Sequence, residues 1–168
     1  AMLHVKDSSV VFTDVLNIYE APVPVSGGGK RMMWYPAYGA FRAGEVFSTV
    51  WDKDSIGPFS IATGRNTKAK GSFSTAFGAE SQALGVGSTA TGVFTIASGN
   101  ACTAMGNSSI DTGDVATAIG YATLSSGWYS TALGNSTNSS GFNSLAACWN
   151  TNSSGDNSTA LGYSNSSR

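Results

Sequence analysis

The polar and apolar positions of residues 57–168 repeat with a period of fourteen residues, and eight such units fill this stretch without insertion or deletion. Each unit starts with Gly, passes through two variable residues into Ser-Thr-Ala, and continues with an often apolar residue, a second Gly and a polar half. The sixth position is Ala in all eight units: Ala62, Ala76, Ala90, Ala104, Ala118, Ala132, Ala146 and Ala160. Because side chains of an extended segment alternate between two faces, positions four to seven predict a strand with Ser and Ala on one face and Thr and the apolar residue on the other.

The second half of each unit predicts a second strand, with small residues at positions eleven and thirteen. Examples are Thr67 with Ala69, and Ser81 with Ala83. Two strands flattened against one another leave room only for small side chains, so we expect positions four, six, eleven and thirteen to face inward. One unit then forms one coil of a β-solenoid, with Gly at tight corners where a positive φ is required. Parallel strands stack about 4.8 Å apart, so eight coils predict a rod roughly 40 Å long.

Two other folds with short periods are excluded by the residue that recurs. Gly costs about 1 kcal/mol at each interior position of a helix, and Gly and Ala lack the large side chains that hold a coiled coil together. Collagen requires Gly at every third residue, whereas Gly here falls at every seventh. The sequence therefore predicts an all-β repeat region.

Position seven places large apolar side chains on the outside of the predicted coil. Five units carry one there: Phe77, Met105, Ile119, Leu133 and Leu161. An exposed apolar stripe of this kind marks an interface, so the sequence predicts an obligate oligomer joined through these five residues. Burying them between subunits would contribute roughly 7–15 kcal/mol per chain as an upper value, at about 1.5–3 kcal/mol each.

The composition argues against catalysis, metal binding and nucleic-acid binding. Charged residues make up 11% of the chain and its net charge is −1, which removes bulk electrostatic attraction to nucleic acid or to an anionic membrane. The single His is His4, and no pair of side chains is arranged for acid–base or nucleophilic work. We therefore expect a non-enzymatic protein without cofactor or metal; the alternative for metal is a cation shared by Asp111 and Asp114.

Two cysteines interrupt the repeat, Cys102 at position four of unit four and Cys148 at position eight of unit seven. Three coils at about 4.8 Å place them roughly 14 Å apart, beyond the ~7 Å limit for bridged Cα atoms. We expect no disulfide between them. Cys102 is predicted to be an inert interior residue rather than a reactive thiol.

Aromatic side chains gather in the last four units. Positions two and three carry Trp128, Tyr129 and Phe142, and position nine carries Tyr121, Trp149 and Tyr163. Residues fourteen apart stack directly in a solenoid, so these side chains predict columns near the two turns. Exposed aromatic columns stack on sugar rings or seat protein ligands, and the six residues are our candidate ligand-binding positions. The alternative is a structural ladder or packing between subunits.

The frame Gly-x-x-Ser-Thr-Ala-x-Gly resembles the head repeats of trimeric autotransporter adhesins, the YadA-like family. The most similar units are 155–167, 127–140 and 71–84, and the resemblance covers residues 57–168. It implies a left-handed parallel β-roll that assembles as a homotrimer around a central axis. It also implies that the position-seven residues face that axis.

The resemblance implies a function as well. The chain would be the head of a surface adhesin that projects from a bacterial outer membrane and binds host matrix protein or glycan through its outer faces, with neither nucleic acid nor direct membrane insertion by this segment. The alternative is the same rod used as a structural or receptor-binding segment of a phage or contractile-injection tail fibre. Thr63, Thr91 and Ala147 depart from the apolar pattern of position seven, so the interface is expected to be weaker there.

Residues 1–56 differ from the repeats, because they carry eleven of the nineteen charged side chains and more large apolar residues. Segments 30–35 and 41–50 predict strands around a turn at 36–39. The first coil of a solenoid exposes an unpaired edge, which proteins usually cover. We therefore expect 1–56 to be a β-rich cap that also helps to lock the trimer; the alternative is a ligand-binding tip.

Overall fold

The computed structural model describes residues 22–168, and in this range the chain is an all-β parallel solenoid preceded by a β-hairpin. The hairpin consists of β1 (Gly29–Tyr35) and β2 (Ala40–Val46), joined by a 3₁₀ turn at Pro36–Tyr38. A second 3₁₀ turn, Lys53–Ser55, precedes the first coil. The predicted hairpin is confirmed, although its second strand ends earlier than expected.

Each of the eight coils contains one long and one short strand. The five-residue strands are β3 (Ile61–Arg65), β5 (Thr75–Ala79), β7 (Thr89–Val93), β9 (Thr103–Asn107), β11 (Thr117–Tyr121), β13 (Thr131–Asn135), β15 (Leu145–Trp149) and β17 (Thr159–Tyr163). The two-residue strands are β4 (Lys68–Ala69), β6 (Gln82–Ala83), β8 (Ile96–Ala97), β10 (Ile110–Asp111), β12 (Leu124–Ser125), β14 (Asn138–Ser139), β16 (Asn152–Ser153) and β18 (Ser166–Ser167). The fourteen-residue coil is confirmed, but its two halves are unequal.

The strands of the coils stack in parallel into two sheets, one on each side of the flattened coil, whereas β1 of the hairpin pairs antiparallel with β2. The long strands form a sheet of ten together with the hairpin, in the order β1-β2-β3-β5-β7-β9-β11-β13-β15-β17, and the short strands form a sheet of eight. Within the coils, each strand residue pairs with the residue fourteen positions later, as Ala118 does with Ala132. A position in the repeat therefore becomes a column that runs along the rod.

The interior of the coil holds the predicted positions. All eight Ala of position six are completely buried, and positions four, eleven and thirteen are buried in the first seven units. Serines at position four donate to the carbonyl of the Gly that opens their own unit, for example Ser74 to Gly71 at 2.6 Å and Ser130 to Gly127 at 2.7 Å. At position eleven, by contrast, four Thr hydroxyls are buried without a hydrogen-bond partner within residues 22–168: Thr67, Thr95, Thr137 and Thr151.

The repeated glycines are required for two different reasons. Those at position eight adopt a positive φ, and those at position one do not. At position eight, Gly has φ between 102° and 139°, a backbone conformation that residues with a side chain rarely adopt. At position one, φ is ordinary; a Cβ on Gly71 would lie 1.9 Å from the carbonyl oxygen of Gly85 in the next coil. The expectation of positive φ at every Gly is therefore wrong, because position-one Gly is required by the close stacking of coils.

The left-handed corners lie at positions three and ten, and side chains other than Gly occupy almost all of them. Phe73 has φ 60° and Val115 has φ 55° at position three, and Phe94 has φ 56° at position ten. Gly87, the Gly outside the seven-residue grid, falls on a position-three corner. The backbone N–H at each corner donates a hydrogen bond to a carbonyl fourteen or more residues earlier in the chain, as Phe73 N does to Pro58 O at 2.8 Å.

The hairpin continues the long-strand sheet and covers its first edge. Strand β2 pairs in parallel with β3, and Gly44 (φ 132°) lies beside Gly64 as a position-eight Gly would. Arg42 occupies the place of the interior Ala beside Ala62 and is completely buried. Its guanidinium donates to the carbonyl oxygens of Ser60 and Ala69, so it closes the end of the small-residue interior.

The edge of the short-strand sheet has a different cover. Strand β4 ends this sheet, and the carbonyl of Thr67 has no preceding strand to supply a donor. Trp51, which is completely buried, donates its indole Nε1–H to that oxygen at 2.8 Å. The guanidinium of Arg31 lies 5.6 Å from the Trp51 ring. The Trp51 indole thus supplies the hydrogen-bond donor that a preceding strand would otherwise give to this carbonyl.

Candidate functional site

The position-seven residues form an exposed apolar stripe on the outer face of the long-strand sheet. Met105, Ile119 and Leu133 are neighbours in register and each is 37% exposed. Leu161 follows across Ala147, and Phe77 is separated from Met105 by Thr91. We call these five predicted residues the apolar stripe; the chain alone leaves all of them in contact with solvent.

A second apolar patch lies on the outer face of the short-strand sheet. Ile96, Ile110 and Leu124 occupy position twelve of three successive units and are neighbours in register. Ile110 and Leu124 are 37% and 36% exposed. Sequence reasoning missed this patch, although the same column analysis that found position seven applies to position twelve.

The six candidate aromatic residues separate into two groups at different corners of the coil. At the corner before the long strand, Tyr129 and Phe142 meet edge to face with ring centroids 5.6 Å apart, and Trp128 is 61% exposed. At the end of the long strand, Trp149 and Tyr163 stack with centroids 4.4 Å apart and ring planes 17° from parallel. Direct stacking of residues fourteen apart is therefore confirmed for Trp149 and Tyr163.

Tyr121 belongs to the same column as Trp149 and Tyr163, two coils before Trp149. Asn135 lies between them, paired in register with Tyr121 on one side and with Trp149 on the other. Tyr121 is 55% and Trp149 43% exposed. Sequence reasoning named the aromatic residues of this column and missed the Asn135 that they enclose.

Another stacked pair lies at the start of the rod. Phe59 and Phe73, both at position three, have ring centroids 5.2 Å apart and are 54% and 63% exposed. Their left-handed φ values turn the side chains outward at the corner. The fourteen-residue spacing alone would have identified this pair.

A carboxyl group and a thiol lie side by side inside the coil, at Asp111 and Cys102. Asp111 occupies position thirteen of unit four, is completely buried, and has both carboxylate oxygens without a hydrogen-bond partner within residues 22–168. Burial raises the pKa of Asp111 to about 7. Cys102 lies beside it, with Sγ 3.8 Å from the Asp111 carbonyl oxygen. Burial, reinforced by the Asp111 charge, raises the pKa of the Cys102 thiol to about 12, so this thiol stays protonated.

The alternative of a cation shared by Asp111 and Asp114 is not supported by their placement. Asp111 points into the coil, whereas Asp114 lies on the surface and accepts a hydrogen bond from Asn100 N at 2.7 Å. Within residues 22–168 there is no group of three His, Cys, Asp or Glu side chains able to hold a metal ion. His4 lies outside the described residues.

Both cysteines are free thiols, and they occupy different environments. Cys102 is an interior residue, as predicted, while Cys148 is exposed. Cys148 takes the place of a position-eight Gly and has φ 92°. In the part of the chain that the structure describes, no helix has the length and hydropathy needed to cross a membrane.

Comparison with protein families assigns the repeats. The model of the YadA head domain repeat matches residues 55–81, 83–101, 112–137 and 139–165. The chain belongs to the YadA head family. No curated protein matches it in sequence. The YadA head match stops at residue 101 and resumes at 112, and the omitted stretch contains two interior departures from the repeat, Cys102 and Asp111.

Membership in the YadA head family confirms the predicted resemblance and the repeat fold. It identifies the chain as a segment like those of trimeric autotransporter adhesins, which is consistent with extracellular display. The site residues that we predicted lie within the matched region, except Met105, which lies in the gap. The six aromatic candidates all fall in the last two matched stretches.

Proposed function

We propose that this chain is a non-enzymatic head segment of a bacterial surface adhesin, that it acts as a homotrimer, and that its outer faces bind host matrix protein or glycan. The parent protein would project from the outer membrane. The observation that carries the proposal is the apolar stripe on a chain of the YadA head family. Heads of this family form trimers, and such a stripe is what a trimer axis would cover.

The physical argument for assembly is the location of the apolar side chains. The solenoid interior consists mainly of Ala, Ser and Thr, which bury little apolar area, whereas larger apolar residues lie outside. Met105, Ile119 and Leu133 form three consecutive steps of the stripe along a flat parallel sheet. Monomeric proteins seldom expose a contiguous apolar surface of this kind without a partner.

The assembly is tested by measuring the mass of the chain in solution by multi-angle light scattering. We expect three times the chain mass of 17.2 kDa for the wild type. Leu133→Asp should dissociate the trimer, because it places a charge in the stripe. The matched control is Leu124→Asp, since Leu124 is equally exposed (36% against 37%) on the opposite sheet. A wild-type monomer, or dissociation by the control alone, would contradict the proposal.

Adhesion is tested separately, with the wild-type chain coupled to beads and exposed to immobilised matrix proteins and a glycan array. We expect retention on at least one of these surfaces and release by soluble competitor of the same composition. Beads that are retained on none of them, at a density where a known adhesin head is retained, would reject the binding function while leaving the trimer untouched.

A further inference from the structure

The column at position nine combines aromatic rings with asparagine amides over five successive coils. Its members, in order along the rod, are Asn107, Tyr121, Asn135, Trp149 and Tyr163, and each is paired in register with the next. We call this set the Asn–aromatic column. It follows position eight, where Gly, or Cys148 in unit seven, has a positive φ, and it precedes the left-handed corner at position ten, so it lies where the long strand ends.

The rings of this column leave a slot of defined width. Tyr121 and Trp149 are two strand spacings apart, about 10 Å, and Asn135 lies on the floor between them. Trp149 stacks on Tyr163 with one face, in planes 17° from parallel and 4.4 Å apart, which leaves its other face toward the slot. A flat ring inserted over Asn135 would lie about 5 Å from each wall, within the range of ring stacking.

The floor of the slot supplies hydrogen-bond donors. Asn135 Oδ1 accepts from the hydroxyl of Ser136 at 2.8 Å, and Asn107 Oδ1 accepts from Ser108 at 2.9 Å. In both residues the hydrogen bond is to the amide oxygen. The amide nitrogens of Asn107 and Asn135 donate to no group within residues 22–168. Each amide therefore presents two N–H donors on either side of the Tyr121 ring.

The electrostatic surroundings exclude a ligand that needs a charged partner. No Asp, Glu, Lys or Arg occurs in residues 115–155, which contain the slot. An anionic sugar or a charged peptide would find no opposite charge there. A pyranose ring has an apolar C–H face on each side and hydroxyl groups around its rim, which matches two aromatic walls above an amide floor.

We propose that the Asn–aromatic column is a binding site for a neutral oligosaccharide, with one pyranose ring held between Tyr121 and Trp149 over Asn135. The inference rests on the proposed adhesin function, whose glycan ligand it specifies. Asn107 and Tyr163 extend the same arrangement along the rod, so a linear chain parallel to the column would contact further members.

The test is an array of neutral and acidic oligosaccharides probed with the wild-type chain, followed by titration calorimetry with the best neutral binder. Trp149→Ala and Asn135→Ala should each weaken binding roughly tenfold or more, as removal of a central anchor does. The matched control is Phe73→Ala, because Phe73 is also exposed (63%) but lies at a position-three corner near the start of the rod, outside the column. It should bind as the wild type does.

Several outcomes would overturn the inference. These are binding of acidic glycans alone, binding of none, equal losses for Phe73→Ala and Trp149→Ala, or an unchanged affinity in Asn135→Ala. Mass and circular dichroism of each variant are measured first, and a change of oligomeric state in Trp149→Ala would show that the ring packs between subunits instead. Retention of wild-type beads on matrix proteins without any glycan binding would reject this site and leave the adhesin proposal standing.

Discussion

At the scale of single residues, the repeat is a set of steric requirements imposed by coils stacked in register. A Cβ on a position-eight Gly would collide with the next coil, as at Gly64, where it would lie 2.0 Å from Gly78 O. Gly recurs every seven residues because the backbone of each coil approaches the backbone of the next coil this closely at two positions, one and eight. Interior Ala, Ser and Thr follow from the same close stacking, since the space between the two sheets favours small side chains.

The one exception at position eight gives a direct test. Cys148 has φ 92°, a region that costs a side-chain-bearing residue of order 1–3 kcal/mol. Cys148→Gly should raise the stability by about 1 kcal/mol, because relief of strain exceeds the added freedom of the unfolded chain. The measurement is a denaturant midpoint under reducing conditions. Ala147→Gly, one residue earlier in the same strand, is the control and should lower stability by about 0.5–1 kcal/mol.

A second residue-scale prediction concerns Asp111, whose pKa is raised to about 7 by burial, from 3.8. Between about pH 4 and 7 the unfolded chain releases this proton while the folded chain keeps it. Stability should therefore fall as pH rises through that window, by at most about 4 kcal/mol, and level off above it. Cys102 does not contribute to this change, because its thiol remains protonated over the window.

The variant that checks this is Asp111→Ser, since the neighbouring coil carries Ser125 at the same position. It should be more stable than the wild type at pH 8 and nearly equal to it at pH 4. Asp54→Ser, which removes an exposed carboxylate, is the control and should leave the slope intact. Thermal midpoints of the three proteins from pH 4 to pH 8 give the comparison; parallel curves for Asp111→Ser and wild type would refute the prediction.

At the scale of elements, the sequence determines the coils more completely than the hairpin. The alternation of Ser, Ala and apolar residues places every interior position, because one register repeats eight times. The hairpin occurs once, and its strand β2 meets the first coil with Gly44 twenty residues before Gly64 rather than fourteen. No periodic signal could therefore reveal that Arg42 takes the place of an interior Ala. The sequence separated the aromatic residues into columns near the two turns, but spacing alone could not show which rings meet, such as Tyr129 with Phe142.

The cap gives a prediction at this scale. Trp51→Phe keeps most of the buried ring but removes the donor to Thr67 O, and a buried carbonyl without a partner costs about 1–3 kcal/mol. We expect a loss of this size in the free energy of unfolding, with earlier hydrogen exchange in the first coil. Trp34→Phe is the matched control, since Trp34 lies in strand β1 of the hairpin and is 40% exposed, and its effect should stay within about 0.5 kcal/mol. Equal losses in both variants would show that ring size, and not the donor, is what Trp51 contributes.

At the scale of the whole molecule, the low charge and the small interior have one consequence: the large apolar side chains lie on the outside. The stripe residues are 37–53% exposed, so the chain itself already covers about half or more of each side chain. The gain still available from burying all five between subunits is then roughly 3–6 kcal/mol per chain, below the upper value expected from sequence. A free-energy gain of this size makes the stability of the fold depend on assembly, but it does not require that the single chain be unfolded.

This dependence predicts that thermal stability rises with protein concentration. For three chains that fold into one trimer, a tenfold rise in concentration stabilises each chain by roughly 1 kcal/mol. For a chain of this length, that corresponds to an increase in Tm of roughly 2–4 °C. Differential scanning calorimetry across a hundredfold range of concentration measures it, at a scan rate where unfolding is reversible. Leu133→Asp should lose the dependence and melt at one temperature throughout, whereas Leu124→Asp on the opposite sheet should keep it. A wild-type Tm that does not change with concentration would mean that the stripe adds nothing to stability, and that the fold holds without a partner.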